Sequence, residues 1–365
     1  VSGTDPVGYL RFIIELLRRE HYDVLFPANE QAYLFSWARE LLEPLAGLAV
    51  ADFASFERVQ TKSAFTRLLI ELGLGHPATR YATTWPGIRQ ATDELGLPCY
   101  VKVSSGTAST GVWRVDDRAD LVKLRTDLTA HGRLPGQELV VQQAAGGVFE
   151  QSHGLFDRGR LVALCCTRRL REGAQGGAAV KQSVARPAVA EDYRTLGEAL
   201  SWHGSFSADY FWDEGGNTAS YIDANPRLTE PMNAYYDGVD LPDLQVRVSL
   251  SQHPATIQHV SHSTRSHSTI QGLLGAATRD GSRRSIVREF ADAALGRGEY
   301  RGSREGMTPV GQDPPSLVPL ATVVGTLVLS PRSATGLTHR TIERYALGDA
   351  IERISHTTPA AAGLS

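Results

Sequence analysis

The stretch Gly204–Pro231, GSFSADYFWDEGGNTASYIDANPRLTEP, concentrates the residue types best suited to chemistry. Ser205–Trp212 reads as a strand, Asp213-Glu214-Gly215-Gly216-Asn217 as a turn and Ala219–Asn225 as the returning strand. Side chains two apart on a strand share a face, so Asp223 and Asn225 lie together, with Arg227 in the same phase. Pairing of the two strands places Asp209 beside them. Two carboxylates and an amide oxygen are hard ligands suited to Mg²⁺, which keeps waters and adds phosphate oxygens. An arginine beside such a set suits a phosphate or an acyl phosphate. A polar hairpin closed by an Asn-Pro turn is the plainer alternative.

Four lysines stand among the 37 basic residues: Lys62, Lys102, Lys123 and Lys181. A compact ammonium and a planar guanidinium are not interchangeable at a phosphate, which makes these four worth following. Lys102 lies in YVKVSS, where Tyr100, Lys102 and Ser104 share one strand face and Val101 and Val103 the other. A lysine inside a buried strand is costly unless paired, and a phosphate would pair it. The small-residue loop Ser104-Ser105-Gly106-Thr107-Ala108-Ser109-Thr110-Gly111 follows, able to wrap phosphate oxygens with backbone N–H groups and hydroxyls; a hairpin turn is its alternative. It contains GxxxxG, but Val112-Trp113 stand where a Walker A loop needs Lys and Ser/Thr. No GxGxxG opens a helix, so a Rossmann fingerprint is missing too. Lys62, in QTKSAF at a helix start, can bring a second ammonium to the phosphates, or be an exposed first-turn lysine. Lys123 sits in a plainly helical segment.

The segment LVVQQAAGGVFEQS has the form of a hinge between strands. Its backbone at Gln143–Ala145 can hydrogen-bond adenine, and Glu150 can hold a ribose hydroxyl. Arg168-Arg169-Leu170-Arg171 with AQGGAAVKQS reads as a basic, flexible flap able to close over anions, or as a solvated charged face. His253, His259, His262 and His267 fit neither zinc-finger nor HExxH spacing and read as a polar connecting segment.

The elements that must position these residues follow from periodicity. Helices are predicted over Pro6–Arg19, Glu30–Leu45, Thr61–Leu72, Trp85–Leu95, Asp117–Leu128 and Glu191–Leu200, and from Pro242 to Ser251. Strands are predicted over Tyr22–Phe26, Cys99–Val103, Val112–Val115, Glu138–Gln143, Val148–Leu155 and Arg160–Thr167. A Gly-rich loop spans Arg171–Ala178. Thr269–Leu364 reads as mainly helical, broken by Arg301–Pro315. The opening resembles a β/α unit without its first strand, which suggests a preceding βαβ portion.

The 365 residues exceed one small domain, and 42% hydrophobic with 21% charged residues is globular. A net charge of −3 gives no general field for nucleic acid or a membrane surface. The longest apolar run, Leu317–Leu329, is shorter than the ~18–20 residues that cross a bilayer. Cys99, Cys165 and Cys166 form no disulfide or zinc pattern, which points to a reducing, cytoplasmic setting.

Taken in order, TKSAF…LGLGHPATR, LPCYVKVSSGTASTGVWRV, LVVQQAAGG, RRLREGAQGGAAVKQS and FSADYFWDEGGNTASYIDANPRL…GVDLP resemble the ATP-grasp superfamily. The likeness runs from about Asp52 to Ser251. It is nearest to the carbamoyl-phosphate-synthase-like and biotin-carboxylase-like branch and its stand-alone carboxylate–amine ligases. The resemblance implies an α+β fold in which two subdomains clasp ATP. The implied boundaries are a partial α/β unit over 1–60, an ATP-grasp domain over 61–252 divided at 135/136, and a mainly helical region over 253–365.

It also implies roles. The family's metal-binding acid falls on Asp209, its Glu-x-Asn pair on Asp223 and Asn225, and its arginine on Arg227, with Arg169 a second candidate at the transferred phosphoryl group. Asp replaces the commoner Glu at both acid positions. Lys62 and Lys102 fall on the ATP-contacting basic positions, with Ser104, Ser105, Gly106, Ser109, Thr110 and Gly111 around the phosphates. The implied cofactors are ATP and Mg²⁺ or Mn²⁺. The implied reaction is attack of a carboxylate on the γ-phosphate to give an acyl phosphate, then displacement of phosphate by an amine. The Gly-rich flap would exclude water. Alternatives are a bicarbonate-activating enzyme and an ATP-binding regulatory protein without turnover. The implied partners are a small-molecule carboxylate and amine. The C-terminal helices would complete the acceptor site or form a homodimer.

Overall fold

The computed structural model describes residues 4–104, 111–257 and 261–338, and beyond them 347, 351, 354 and 356–364. Ser105, Gly106, Ser109, Thr110 and His259 lie outside the described residues.

Helix α1 (Pro6–Arg19) starts where Asp5 accepts the Gly8 N–H and Pro6 takes the first position, and it buries Leu10, Ile14 and Leu17 along one stripe. The strand expected over Tyr22–Phe26 is reduced to one parallel bridge, Val24 to Gly47. Gly47 alone serves the Asp23 carbonyl and the Leu25 N–H. The long helix expected over Glu30–Leu45 divides at Ala38 into α2 (Ala32–Trp37) and α3 (Arg39–Leu42). Helix α4 (Phe53–Gln60) precedes α5 (Lys62–Leu72), which Thr61 caps and Gly73 ends at φ +67°.

A four-stranded antiparallel sheet follows, built from β1 (Thr79–Ala82), β2 (Cys99–Val103), β3 (Val112–Val115) and β4 (Leu139–Gln143) in the order β1-β4-β2-β3. Helices α6 (Trp85–Leu95) and α7 (Arg118–Ala130) cover one face. There Val101, Val103, Val115, Leu139 and Val141 pack on Ile88, Leu124 and Leu128. The strand period turns Lys102 to the other face.

The larger sheet holds β5 (Val148–Asp157), β6 (Arg160–Glu172), β7 (Ala178–Val184), β8 (Gly204–Asp213), β9 (Thr218–Asn225), β10 (Arg265–His267) and β11 (Arg304–Glu305). Its order among the described residues is β11-β10-β7-β6-β5-β8-β9. Helix α8 (Pro187–Leu200) covers the back of the sheet, where Tyr193 stacks on Phe156 and meets Phe206 edge-on. Helices α9 (Met232–Tyr236) and α10 (Leu241–Ser249) lie toward one end of the opposite face, packing Leu228, Ala234, Leu241 and Leu244 on Leu155, Ala163 and Cys165.

The Gly-rich segment Arg171–Ala178 is not a free flap. It is a tight turn between β6 and β7, closed by Gly173 N–H donating to Gly177 O at 2.8 Å. It is docked on α11 (Thr269–Arg279), with Ala174 N–H donating to Gln271 Oε1 at 3.2 Å. A Cβ on Gly275 would stand 2.7 Å from the Gly173 carbonyl carbon, so glycine here serves close approach rather than mobility. Of the residues expected as flap, 178–183 lie in strand β7 (Ala178–Val184). Helices α12 (Arg283–Ala294) and α13 (Leu317–Leu329) complete a helical cluster with α11 through Leu273, Ile286, Leu320 and Leu327. Among the described residues no helix is long and apolar enough to cross a membrane.

Candidate active site

Strand register decides which side chains can meet. Gln151 on β5 stands opposite Asp209 on β8 and Thr167 on β6. Asp209 stands opposite Asp223, and Ser207 opposite Asn225, on β9. Arg169 on β6 pairs with Lys181 on β7. Paired residues share a face, so Lys181, Arg169, Gln151, Asp209, Asp223 and Asn225 form a polar row across the front of the large sheet.

Helix α5 and the smaller sheet supply the opposing charges. Lys62 Nζ lies 3.1 Å from Asp223 Oδ2, with the lysine 8% exposed. Lys102, buried, donates to Gln142 Oε1 at 2.7 Å and to the Ile222 carbonyl at 3.4 Å. Three further hydrogen bonds hold these elements together. Tyr221 N–H donates to Gly75 O at 3.0 Å, and Gly75 has no room for a Cβ because Ala219 O would stand 2.0 Å from it. The Lys62 N–H donates to Ser104 O at 2.9 Å, and Ser63 and Ser104 hydroxyls meet at 2.5 Å. Gly111 returns the chain at φ +75°, with its carbonyl accepting the Val103 N–H at 2.8 Å. The first turn of α5 and the ends of β2 and β3 therefore form one wall, and β8–β9 the other.

Burial pushes the Asp209 carboxyl up to about 6, aided by the facing Asp223 and opposed by the hydrogen bond from Gln151 Nε2 at 2.9 Å. Burial pulls the Lys102 ammonium down to about 8, against the attraction of Asp223. Among the described residues no group of three or more His, Cys, Asp or Glu side chains stands together as a metal cage. Two carboxylates and an amide are instead the donor set of an ion that completes its shell with water and phosphate oxygens. A divalent cation there would relieve the Asp209–Asp223 repulsion, so the residues present fit Mg²⁺.

Other expected site residues stand elsewhere. Glu150 is fully buried on the back of the sheet, one residue out of phase with Gln151. Its carboxylate accepts from Arg168 Nε at 3.0 Å, Arg186 Nη2 at 2.6 Å and Tyr210 Oη at 3.0 Å. The ribose role expected of it is corrected: the side chain is sealed on the opposite face from Asp209 and its oxygens are taken. Arg227 is turned to Glu30 at 3.0 Å and would have to leave it to reach a phosphoryl group. Arg169 lies over the Phe149 ring at 4.2 Å, on the Asp209 face. In the expected hinge, Gln143 N–H donates to Ala78 O and Ala144 N–H to Pro98 O, so these two N–H groups are already engaged.

The front face also holds residues that motif reading did not place. Lys181 Nζ lies 2.6 Å from Glu230 Oε2, and the ammonium holds that carboxyl below its ordinary value. His153 is buried beside them, its Nδ1 3.0 Å from Thr229 Oγ1. The alternation in AAVKQSV was a local signal for Lys181; Glu230, in a loop, carries none.

No family model and no curated protein matches the chain. Solved structures do. The biotin carboxylase domain of the Hydrogenobacter thermophilus 2-oxoglutarate carboxylase, a dimer bound to MgADP and bicarbonate, superposes with a TM-score of 0.59 at 14% identity, over 70% of this chain and 60% of that one. Biotin carboxylase from Campylobacter jejuni gives 0.58 at 14% identity, over 69% and 60%. The N5-carboxyaminoimidazole ribonucleotide synthetase PurK, as its ADP complex, gives 0.56 at 13% identity, over 74% and 72%. The chain thus spans 60% of the length of the two biotin carboxylase structures. At this identity the likeness is one of fold. The chain shares the α+β ATP-grasp fold of these structures.

Proposed function

We propose that the protein is an ATP-dependent carboxylate–amine ligase acting through an acyl phosphate. One observation carries this reading: two buried lysines, Lys62 and Lys102, face Asp209, Asp223 and Asn225 across a single cleft in an ATP-grasp fold. In it, Asp209, Asp223 and Asn225 would hold Mg²⁺ or Mn²⁺, which would supply charge neutralisation at the phosphate oxygens. Lys62, paired with Asp223 at 3.1 Å, would be placed to meet a phosphate oxygen beside that carboxylate. Lys102 neutralises the phosphates from the base of the small sheet. Arg169 holds the transferred group, with Arg227 joining if it releases Glu30. Ser104, Gly111 and the backbone of Ala145 line the nucleotide. A substrate carboxylate oxygen forms the new bond to the γ-phosphorus as the bond to ADP breaks. An amine then bonds to the acyl carbon as phosphate departs, giving an amide, ADP and phosphate. The two walls position the reactants and balance their charge. The three buried free thiols suit a cytoplasmic setting.

The test is ADP and phosphate release from Mg-ATP with pooled amino acids and simple amines. Release that depends on both a carboxylate and an amine is expected. Asp223→Ala abolishes it while circular dichroism stays native; retained release in that variant would sink the metal assignment. ADP release driven by bicarbonate without an amine would favour a bicarbonate-activating enzyme. Nucleotide binding without release would favour a regulatory protein.

A further inference from the structure

Between Asp313 and Arg332 the sequence carries no charged residue, and α13 lies in this stretch. Its inner stripe, Leu320, Val324 and Leu327, packs with Leu273 of α11 and Ile286 of α12. The opposite stripe, Val318, Thr322, Gly325 and Leu329, is exposed, Val318 at 69% and Leu329 at 78%. A surface helix ordinarily sets charged or polar residues outward, whereas both faces of this one are apolar. The Thr322 hydroxyl donates back to the Val318 carbonyl at 2.8 Å, so its polar group is satisfied within the helix. Gly325 weakens the middle of a helix. Yet among the described residues a Cβ on it would meet nothing within 4 Å, so no neighbour in the chain requires glycine there. Arg283 donates to the Val328 and Leu329 carbonyls at 2.7 and 3.1 Å, which completes the end of the helix within the chain. At 13 residues the helix is too short to cross a bilayer.

We propose that a second copy of the chain covers this outer stripe, as an antiparallel pair of α13 helices about a two-fold axis. The stripe recurs at the alternating four- and three-residue spacing of a coiled-coil seam. A two-fold interface requires every contact to be returned by the partner. An axis passing between Val323 and Val324 meets that requirement: Val318 faces Leu329 of the second copy, and Thr322 faces its Gly325. The larger side chains close both ends, and glycine at the middle lets the two backbones approach. Charge agrees with this direction. Exposed Asp313 precedes the helix and exposed Arg332 follows it. Antiparallel packing brings the acidic end of each copy to the basic end of the other, whereas parallel packing sets like charges together. The dimer stands independently of the ligase reading.

Sedimentation equilibrium of the full chain tests the proposal. A reversible dimer is expected with a Kd on the order of 10 μM, because one helix pair buries less than a standard interface. Gly325→Leu puts a side chain into open space in the single chain, and Leu329→Glu changes an exposed position. Each should weaken the dimer about tenfold or more while circular dichroism stays native. A wild-type chain that remains monomeric at about twenty times that Kd overturns the proposal, and so does a dimer that survives either substitution, which would place the interface elsewhere. Disulfide trapping reads the direction of the pair. Val318→Cys and Leu329→Cys proteins are oxidised separately and as a mixture, with the native thiols buried. A disulfide should form between the two proteins in the mixture and in neither alone, because like positions in the antiparallel pair lie about 16 Å apart along the axis. A link within the Val318→Cys protein alone, or none in the mixture, overturns the antiparallel pairing.

Discussion

Replacing Asp209 by Asn should make the protein more stable while ending its turnover. The carboxyl, ordinarily near 3.8, is pushed up to about 6 by burial and by Asp223. At about 1.4 kcal/mol per tenfold change in proton affinity, that rise corresponds to about 3 kcal/mol of strain in the ionised form. Asp209 is partly exposed, so solvent screening reduces the expected amount to about 1–2 kcal/mol. Because the folded value lies above the unfolded one, the folded protein binds this proton more tightly. The penalty is absent below about pH 4, grows as pH rises toward 6, and is complete above it. Asn has no charge to ionise, and its amide oxygen can keep the hydrogen bond from Gln151. Asp209→Asn should therefore raise the melting temperature by about 1–3 °C at pH 7.5 without nucleotide or metal. The gain should vanish near pH 4. Differential scanning calorimetry of both proteins at the two pH values measures this, alongside ADP release. A variant that melts lower at pH 7.5, or gains equally at both pH values, refutes the electrostatic reading of Asp209 and its pairing with Asp223.

Other expectations follow from single groups. Glu150→Gln should cost about 3 kcal/mol of stability, because it removes the charge that serves both Arg168 and Arg186; denaturant unfolding checks this, and KM for Mg-ATP should stay within twofold. A tenfold rise in that KM with stability unchanged would restore the ribose role. With Lys102 held down to about 8 in the free protein, Mg-ADP affinity should be flat from pH 6 to 7.5 and fall above pH 8, with proton uptake on binding seen by calorimetry in buffers of different ionisation enthalpy. A flat profile to pH 9.5 would contradict contact between Lys102 and phosphate. Cys99, Cys165 and Cys166 are buried, and burial pushes each thiol up, so none should react with a thiol reagent until the protein unfolds.

Local pattern was legible in the sequence where alternation was clean. The strands Cys99–Val103 and Val112–Val115 and the helix Trp85–Leu95 have the predicted bounds. The Asp209 hairpin forms about its predicted turn, because alternating apolar residues and a Gly-Gly turn leave few other choices. Three kinds of information were missing. Face assignment needs register, and Glu150 differs from Gln151 by a single residue, which is the whole difference between the back and front of the sheet. Glycine content does not say whether a loop moves or is pressed against a neighbour; Gly173 turned out to be held against α11. The Lys181–Glu230–His153 cluster depends on strand order β7-β6-β5 and on the loop after β9 folding back over it. No spacing along the chain encodes that.

The central claim is that a carboxylate is activated by phosphoryl transfer in the cleft between Lys102 and Asp209. It is tested most directly by oxygen transfer. Amino acids labelled with ¹⁸O in their carboxylates are pooled with Mg-ATP and the purified protein, and the released phosphate is analysed by mass spectrometry. The account predicts one ¹⁸O in the phosphate for each ADP formed, lost in Asp223→Ala. ADP release with unlabelled phosphate, or AMP and pyrophosphate in place of ADP, would contradict it.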